Sequence, residues 1–187
     1  MNVVEFLFNL SLYAFFIYSV LLLLFYLFIA GYSIGEVKNY LRKSSFTNYS
    51  LLASSEFAPP ISILAPAYNE GATIIENVRS LLALHYNNLE LIIINDGSKD
   101  DTMDKLIKAY DLAKVPYTVS EKIKTKPVKD IYKSDNPLYH KLTVVDKENG
   151  GKADALNVGI NLSDKKYIVC IDLDCILEHD ALLKLIQ

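Results

Sequence analysis

Leu89-Glu90-Leu91-Ile92-Ile93-Ile94-Asn95-Asp96-Gly97-Ser98 is a nearly unbroken apolar run that stops at a polar turn. A strand that is apolar at successive positions is covered on both faces of its sheet, which is the condition of an α/β fold. The flanking sequence agrees. Ile61-Ser62-Ile63-Leu64-Ala65 reads as a preceding strand, entered from Pro59-Pro60, which sets an extended approach. Between the two strands, Thr73 to Glu76 has capping-box spacing, and Ile74, Val78, Leu81 and Leu82 form one apolar helical stripe. A second helix is expected from near Asp101, with Met103, Leu106, Ile107 and Tyr110 on one face. Val115 to Val119 reads as a short third strand and residues 120–140 as a long loop with room for a brief helix. Leu142 to Val145 reads as a strand, Ala153 to Ile160 as a helix, and Tyr167 to Ile171 as a last, buried strand. Asp180 is placed to cap a final helix carrying Leu182, Leu183 and Leu185. Strands alternating with helices predict a mainly parallel sheet with helices on both faces.

In such sheets ligands sit beyond the carboxyl ends of the strands. Tyr68 to Glu70, within Pro66-Ala67-Tyr68-Asn69-Glu70, follow the first strand, and Asp96 to Ser98 follow the second. Lys152 opens the helix after the fourth, and Ile171-Asp172-Leu173-Asp174 ends the last. Singly, each has a bland reading: Asp-x-Asp is common in solvated loops, and Gly150-Gly151-Lys152 serves equally well as a turn. Four on one rim make a nucleotide pocket the economical explanation. Two carboxylates one residue apart suit a divalent cation held against a phosphorylated ligand. The glycines are no P-loop, because Asp146 and Ala153 stand where that motif needs Gly and Ser or Thr. They still allow close approach to an anion, with Lys152 adding charge. Asp96 is expected at the rim, accepting from a nucleobase imide or a ribose hydroxyl. Asp100 and Asp101 fit turn or helix-cap roles better. His85 reads as an ordinary helix-end residue, and His140 and His179 lack metal-ligand spacing. The five lysines from Lys122 to Lys133 read as a solvated face.

The 187 residues allow one domain plus an attachment segment. With 19 basic against 22 acidic side chains there is no basic field for nucleic acid. Cys170 and Cys175 are read as reduced thiols, Cys170 packed in its strand. Residues 1–35 hold a single charge, Glu5, and Leu10 to Ala30 supply the ~20 apolar residues a membrane span needs. No Lys or Arg precedes this run, and it exceeds an ordinary signal-peptide core, so a retained anchor is favoured over a cleaved leader. Lys38, Arg42 and Lys43 follow it, which by the positive-inside rule puts the N-terminus outside and the rest in the cytoplasm. The expected division is an anchor over 1–35, a juxtamembrane connector over 36–59 and a nucleotide-sugar-binding domain half over 60–187.

The order Pro-Ala-Tyr-Asn-Glu (66–70), Asn-Asp-Gly-Ser-Lys-Asp-Asp-Thr (95–102), Glu-Asn-Gly-Gly-Lys-Ala-Asp-Ala-Leu-Asn (148–157) and Asp-Leu-Asp (172–174) resembles the inverting family-2 glycosyltransferases. Within them it looks like the membrane-bound processive branch of cellulose, hyaluronan and poly-N-acetylglucosamine synthases. The resemblance spans Pro60 to Gln187. It implies a GT-A fold binding a UDP-sugar (UDP-N-acetylglucosamine or UDP-glucose), Mg2+ or Mn2+, and a glycan acceptor at the inner membrane. Carried across by motif, Ala67, Tyr68 and Glu70 line the uridine site and Asp96 contacts the uracil. Lys152 lies near the diphosphate, Asp172 lies on the donor, and Asp174 ligates the metal. Leu173 departs from the smaller residue of many relatives and is expected to narrow the donor pocket or pack beneath it.

In the family the general base and the Gln-x-x-Arg-Trp acceptor motif come after the metal motif. This chain has no tryptophan and no matching base, so the sequence reads as a donor half from a longer transferase. Two alternatives stay open, a non-catalytic membrane-anchored nucleotide-sugar-binding subunit and a lipid-phosphate sugar synthase.

Overall fold

The structure, a computed structural model, describes residues 2–44, 58–116 and 122–186. The chain divides into two compact units, residues 1–48 and 49–187.

The first unit is one helix, α1 (Val3–Ser44). Over Val3–Arg42 it is long and apolar enough to cross a membrane. A helix apolar all round its circumference belongs in a hydrophobic medium rather than on a water surface. It runs on through Glu36, Lys38 and Arg42 without a break. The expected basic connector is therefore, as far as Ser44, the last turns of the same helix. Glu, Lys, Arg and Leu are good helix formers, and no proline interrupts them. The Ser-containing remainder of the connector lies outside the described residues.

The second unit is built on a six-stranded sheet in the order β3-β4-β5-β2-β1-β6. In chain order its elements are β1 (Ile61–Ala67), α2 (Ile74–Leu82), β2 (Leu89–Asn95), α3 (Thr102–Tyr110), β3 (Leu112–Lys114) and β4 (Val128–Ser134). A 3-10 turn (Pro137–Tyr139), β5 (Leu142–Lys147), α4 (Lys152–Leu162), β6 (Tyr167–Cys170) and α5 (Ala181–Leu185) complete it. The β1–β2, β1–β6 and β2–β5 pairings are parallel, while β3–β4 and β4–β5 are antiparallel. The sheet is thus mainly parallel, with an antiparallel margin.

Successive strand residues serve opposite faces, so the continuous apolar runs feed two cores. Ile61, Ile63 and Ala65 of β1, Leu91 and Ile93 of β2, and Leu142 and Val144 of β5 join Ile74, Val78 and Leu81 of α2 on one side. Leu106 and Tyr110 of α3 and Leu182 and Leu183 of α5 complete that core. Leu64, Ile92, Ile94 and Val145 point the other way, onto Ala155, Val158 and Leu162 of α4. α4 lies close on the sheet because Gly159 has no side chain, and a Cβ there would stand 3.0 Å from both methyls of Leu64.

Several expectations are corrected. Thr73 is the N-cap of α2 but makes no side-chain cap bond. Its hydroxyl donates to Glu70 Oε2 at 3.2 Å instead, so the capping box is not formed. The third strand lies at Leu112–Lys114, earlier than expected, and the end of the expected stretch falls outside the described residues. Within 120–140 the brief helix is the 3-10 turn, but β4 stands where loop was expected. β4 lies toward the wet margin of the sheet and buries only Ile131 and Tyr132, one to each face, so its sequence carries little apolar signal. β6 is not buried. It forms the opposite end of the sheet, with Tyr167, Ile168 and Cys170 exposed. Cys170 is therefore not packed inside, and both thiols are free. Asp180 makes no side-chain cap bond to α5 and pairs with Lys184 at 3.2 Å.

Candidate active site

Four neighbouring strands, β5, β2, β1 and β6, run parallel, so their carboxyl ends open on one rim. The chain steps from β1 to β2 on one side and later returns as β6 on the other side of β1. A reversal of this kind leaves a crevice at the strand ends. A cleft of about 260 Å³ is found there, lined by Pro66, Ala67, Tyr68, Glu70, Asp96, Lys152, Asp172, Leu173 and Asp174. The structure thus brings Ala67, Tyr68, Glu70, Asp96, Lys152, Asp172 and Asp174 together.

The loop after β1 is stitched to the loop after β2. Asn69, at φ +55°, donates its N–H to Ser98 Oγ at 2.9 Å and accepts from the Lys99 N–H at 2.8 Å. The Gly71 N–H donates to Asp100 Oδ2 at 2.9 Å. Asp100 Oδ1 accepts from the Thr102 N–H at 3.1 Å and its hydroxyl at 2.5 Å. That hydroxyl bond is the main cause holding the Asp100 carboxyl below the usual carboxylate range. Asp100 therefore does what its sequence position predicts. Asp101 pairs with Lys105 at 2.9 Å and makes no cap bond.

Asp96 stands deeper than the rim position expected of it, at 3% exposure. Its carboxylate accepts from Lys147 Nζ at 2.7 Å, the Gly150 N–H at 3.0 Å and the Gly151 N–H at 2.7 Å. A carboxylate has about four acceptor positions, so roughly one remains open. Lys147 is the residue that sequence reading missed. It ends β5 with no exposed surface and also pairs with Asp154 Oδ2 at 2.7 Å. A period-2 signal was available: in β5, Val145 faces α4, and Lys147 falls on the same parity.

On the other wall Asp172 and Asp174 are exposed, whereas Leu173 between them is 3% exposed and packs into the core of α2, α3 and α5. Leu173 thus packs beneath the cleft as well as lining it. Lys152 and Asp172 form an ion pair between the two walls. That bond raises the Lys152 ammonium above the ordinary lysine value. Cys175 Sγ lies 4.0 Å from Asp174 Oδ1.

Among the described residues no cluster of three or more His, Cys, Asp or Glu side chains is positioned to hold a metal. The available donors are the hard oxygens of Asp172 and Asp174. They fit an ion such as Mg2+ or Mn2+, which takes one or two carboxylates and completes its shell with phosphate oxygens and water.

The chain matches the model of glycosyl transferase family 2 over residues 62–122 and 123–187. It is 35% identical over 164 residues to a poly-beta-1,6-N-acetyl-D-glucosamine synthase of Staphylococcus epidermidis, covering 85% of this chain and 33% of the relative. It is 34% identical over 121 residues to the synthase of the same name in Staphylococcus aureus strain COL, covering 65% of this chain and 23% of the relative. The chain therefore spans about a third or less of these curated relatives. Among solved structures, S. aureus TarS in complex with UDP-GlcNAc is matched with a TM-score of 0.48 and 18% identity over 68% of this chain and 30% of that one. A Pyrobaculum calidifontis mannosyltransferase in complex with GDP-Man and Mn2+ is matched at 0.49 and 20% over 72% and 35%. The family match runs through every loop of the cleft, and the chain belongs to glycosyl transferase family 2.

Proposed function

We propose that this chain forms the donor-binding face of an inverting glycosyltransferase that uses a UDP-sugar and Mg2+ or Mn2+ in membrane polysaccharide synthesis. The observation that carries the reading is the convergence of four strand-end loops on one cleft with an aromatic ring, a lysine and two exposed carboxylates on its walls. UDP-N-acetylglucosamine is the preferred donor, because a relative 35% identical bears the name poly-beta-1,6-N-acetyl-D-glucosamine synthase.

Each residue takes a role its surroundings permit. Ala67 presents no bulk at the end of β1, and Tyr68, half exposed, offers a ring face to the uridine. Glu70 lies on the same wall. Asp96 accepts one hydrogen bond from the uracil imide through its remaining acceptor position. Lys152 meets the diphosphate as a point charge. Asp172 contacts the donor, and Asp174 holds the metal with diphosphate oxygens in its shell. An ion bound there would offset the negative charge that grows on the departing diphosphate. An acceptor hydroxyl then attacks the opposite face of the sugar with help from a general base, inverting the anomeric carbon. The acceptor side is assigned to the length of the relatives that this chain does not match. α1 anchors the protein in the membrane with its N-terminus outside and the cleft in the cytoplasm, in keeping with the basic residues after the span.

The test is UDP binding to the full chain in detergent, with and without Mn2+. Manganese should tighten UDP binding at least about tenfold, and Asp174→Ala should remove most of that gain, as expected when a charge-assisted contact is lost. Equal UDP affinity with and without the ion would overturn the reading.

A further inference from the structure

We infer that Lys147, which does not itself line the cleft, is a positioning residue that sets the Gly150–Lys152 turn and aims Asp96 into the donor site. The inference rests on the donor-site reading. Its basis is a side chain that should not be buried unless something requires it. Lysine is almost never fully buried unless paired, yet Lys147 has no exposed surface and is among the largest fully buried side chains described. An ammonium in that position is costly to desolvate, and only full hydrogen bonding and opposite charge offset the cost.

Both are present. The ammonium has three donors, and three acceptors meet it: Asp96 Oδ1 at 2.7 Å, Asp154 Oδ2 at 2.7 Å and the Glu148 carbonyl at 2.5 Å. Asp96 comes directly after β2, Lys147 ends β5, and Asp154 lies in the first turn of α4. One cation therefore ties together the three elements between which the turn 148–151 must pass.

Elsewhere in the turn the Glu148 N–H donates to the Pro127 carbonyl at 3.0 Å and Asn149 Nδ2 donates to the Asp96 carbonyl at 2.8 Å, but neither bond holds the two glycines. Gly151, the N-cap of α4, sits at φ +87° and provides no side-chain cap. Gly150 is closed in by Asp154, since a Cβ there would stand 2.4 Å from Asp154 Oδ2. The N–H groups of Gly150 and Gly151 are held by the same Asp96 carboxylate that Lys147 holds. Lys152, the next residue, is the cleft lysine. The path from the buried ammonium to the cleft is therefore two bonds long: Lys147 to Asp96, and Asp96 to the turn that delivers Lys152. Turning Asp96 away would also redirect its open acceptor position.

A purely structural ion cluster would give the same burial, and the two roles separate once charge is rebalanced. Lys147→Met leaves the buried Asp96 carboxylate and the part-buried Asp154 carboxylate without their shared cation. The double variant Lys147→Met/Asp154→Asn removes one of those charges and keeps the shapes. If Lys147 only compensates charge, the double variant regains both stability and UDP affinity. If Lys147 positions the turn, thermal stability recovers toward the parent while UDP affinity in Mn2+ stays at least about tenfold weaker, the scale of a lost charge-assisted contact.

Amide hydrogen exchange on the full chain in detergent supplies a readout that needs no ligand. The Gly150 and Gly151 amides should exchange at least about tenfold faster in the double variant, with the amides of β1 and β2 unchanged. Unchanged exchange at the two glycines would overturn the inference, and so would recovery of UDP affinity along with stability. Faster glycine exchange in a protein whose parent binds no UDP would retain the positioning role and discard the donor-site reading instead. Should the double variant fail to fold, Asp154→Asn alone is compared. Several-fold weaker UDP binding with faster exchange at the turn supports the inference, and parental values in both overturn it.

Discussion

Lys152 and Asp172 neutralise each other across the cleft, although a metal–diphosphate ligand would draw them to different partners. Both are more than half exposed, so the pair is a weak bond that a ligand can exchange. Removing the lysine should therefore change two affinities in opposite directions. In Lys152→Met, UDP binding should weaken about tenfold through loss of a charge-assisted contact. Mn2+ binding without nucleotide should strengthen about two- to fivefold as Asp172 is released, the scale of an exposed ion pair. Titration by manganese electron paramagnetic resonance and by calorimetry measures the two arms. A fall in both would mean that the lysine supports the metal loop rather than competing for it. At this scale the site was largely legible in the sequence. Ala67, Tyr68, Glu70, Asp96, Lys152, Asp172 and Asp174 each lie at or just past a strand end, and topology brings them together. Lys147 was missed, because a lysine beside Glu148 reads as solvated even though it shares the strand parity of Val145. Only the covering helix α4 makes its position interior.

The loops, taken as elements, depend on a backbone position that L side chains rarely adopt. Gly97 stands after Asp96 at φ +69°, and a Cβ there would lie 2.7 Å from the Asn149 nitrogen. The loop after β2 and the loop after β5 touch at that point. It is reinforced by Asn149 Nδ2 donating to the Asp96 carbonyl at 2.8 Å. Gly97→Ala should lower stability by more than about 1 kcal/mol, from the strained φ alone. It should weaken UDP binding as well, because the Asn149 loop must move to admit the methyl. Urea unfolding alongside UDP titration separates these effects, and parental values in both would show that the two loops do not depend on each other. The same scale shows where sequence reading worked. β1, β2 and β5 were legible because both their faces are covered and their residues are apolar nearly without interruption. β3 and β4 were not, since an antiparallel margin with one or two buried side chains per strand leaves no strong period. β6 was recognised as a strand and misread as buried. Its apolar composition is real, but it stands at the end of the sheet.

The whole molecule joins two kinds of chemistry in one chain. At 1.5 Å per residue, α1 is about 63 Å long, roughly twice the ~30 Å hydrocarbon layer. Were it to cross a bilayer as proposed, the helix would outlast a perpendicular span, and its charged end from Glu36 to Arg42 would fall in the polar zone. In the second unit, by contrast, apolar surface gathers at β6. Tyr167 and Ile168 are exposed, and Ile61, Val169 and Leu185 line a neighbouring apolar hollow of about 290 Å³. Among the described residues no strand pairs with the outer side of β6. Peptide groups left unpaired along such a margin are a template for another strand. Concentrated preparations should consequently form dimers and larger species through this border. Ile168→Lys should suppress them in sedimentation velocity experiments without altering UDP affinity. Association that persists unchanged in that variant would move its origin elsewhere. For anyone purifying the protein, the practical corollary is that dilution and the choice of detergent become experimental variables, because the side of the sheet remote from β3 invites company.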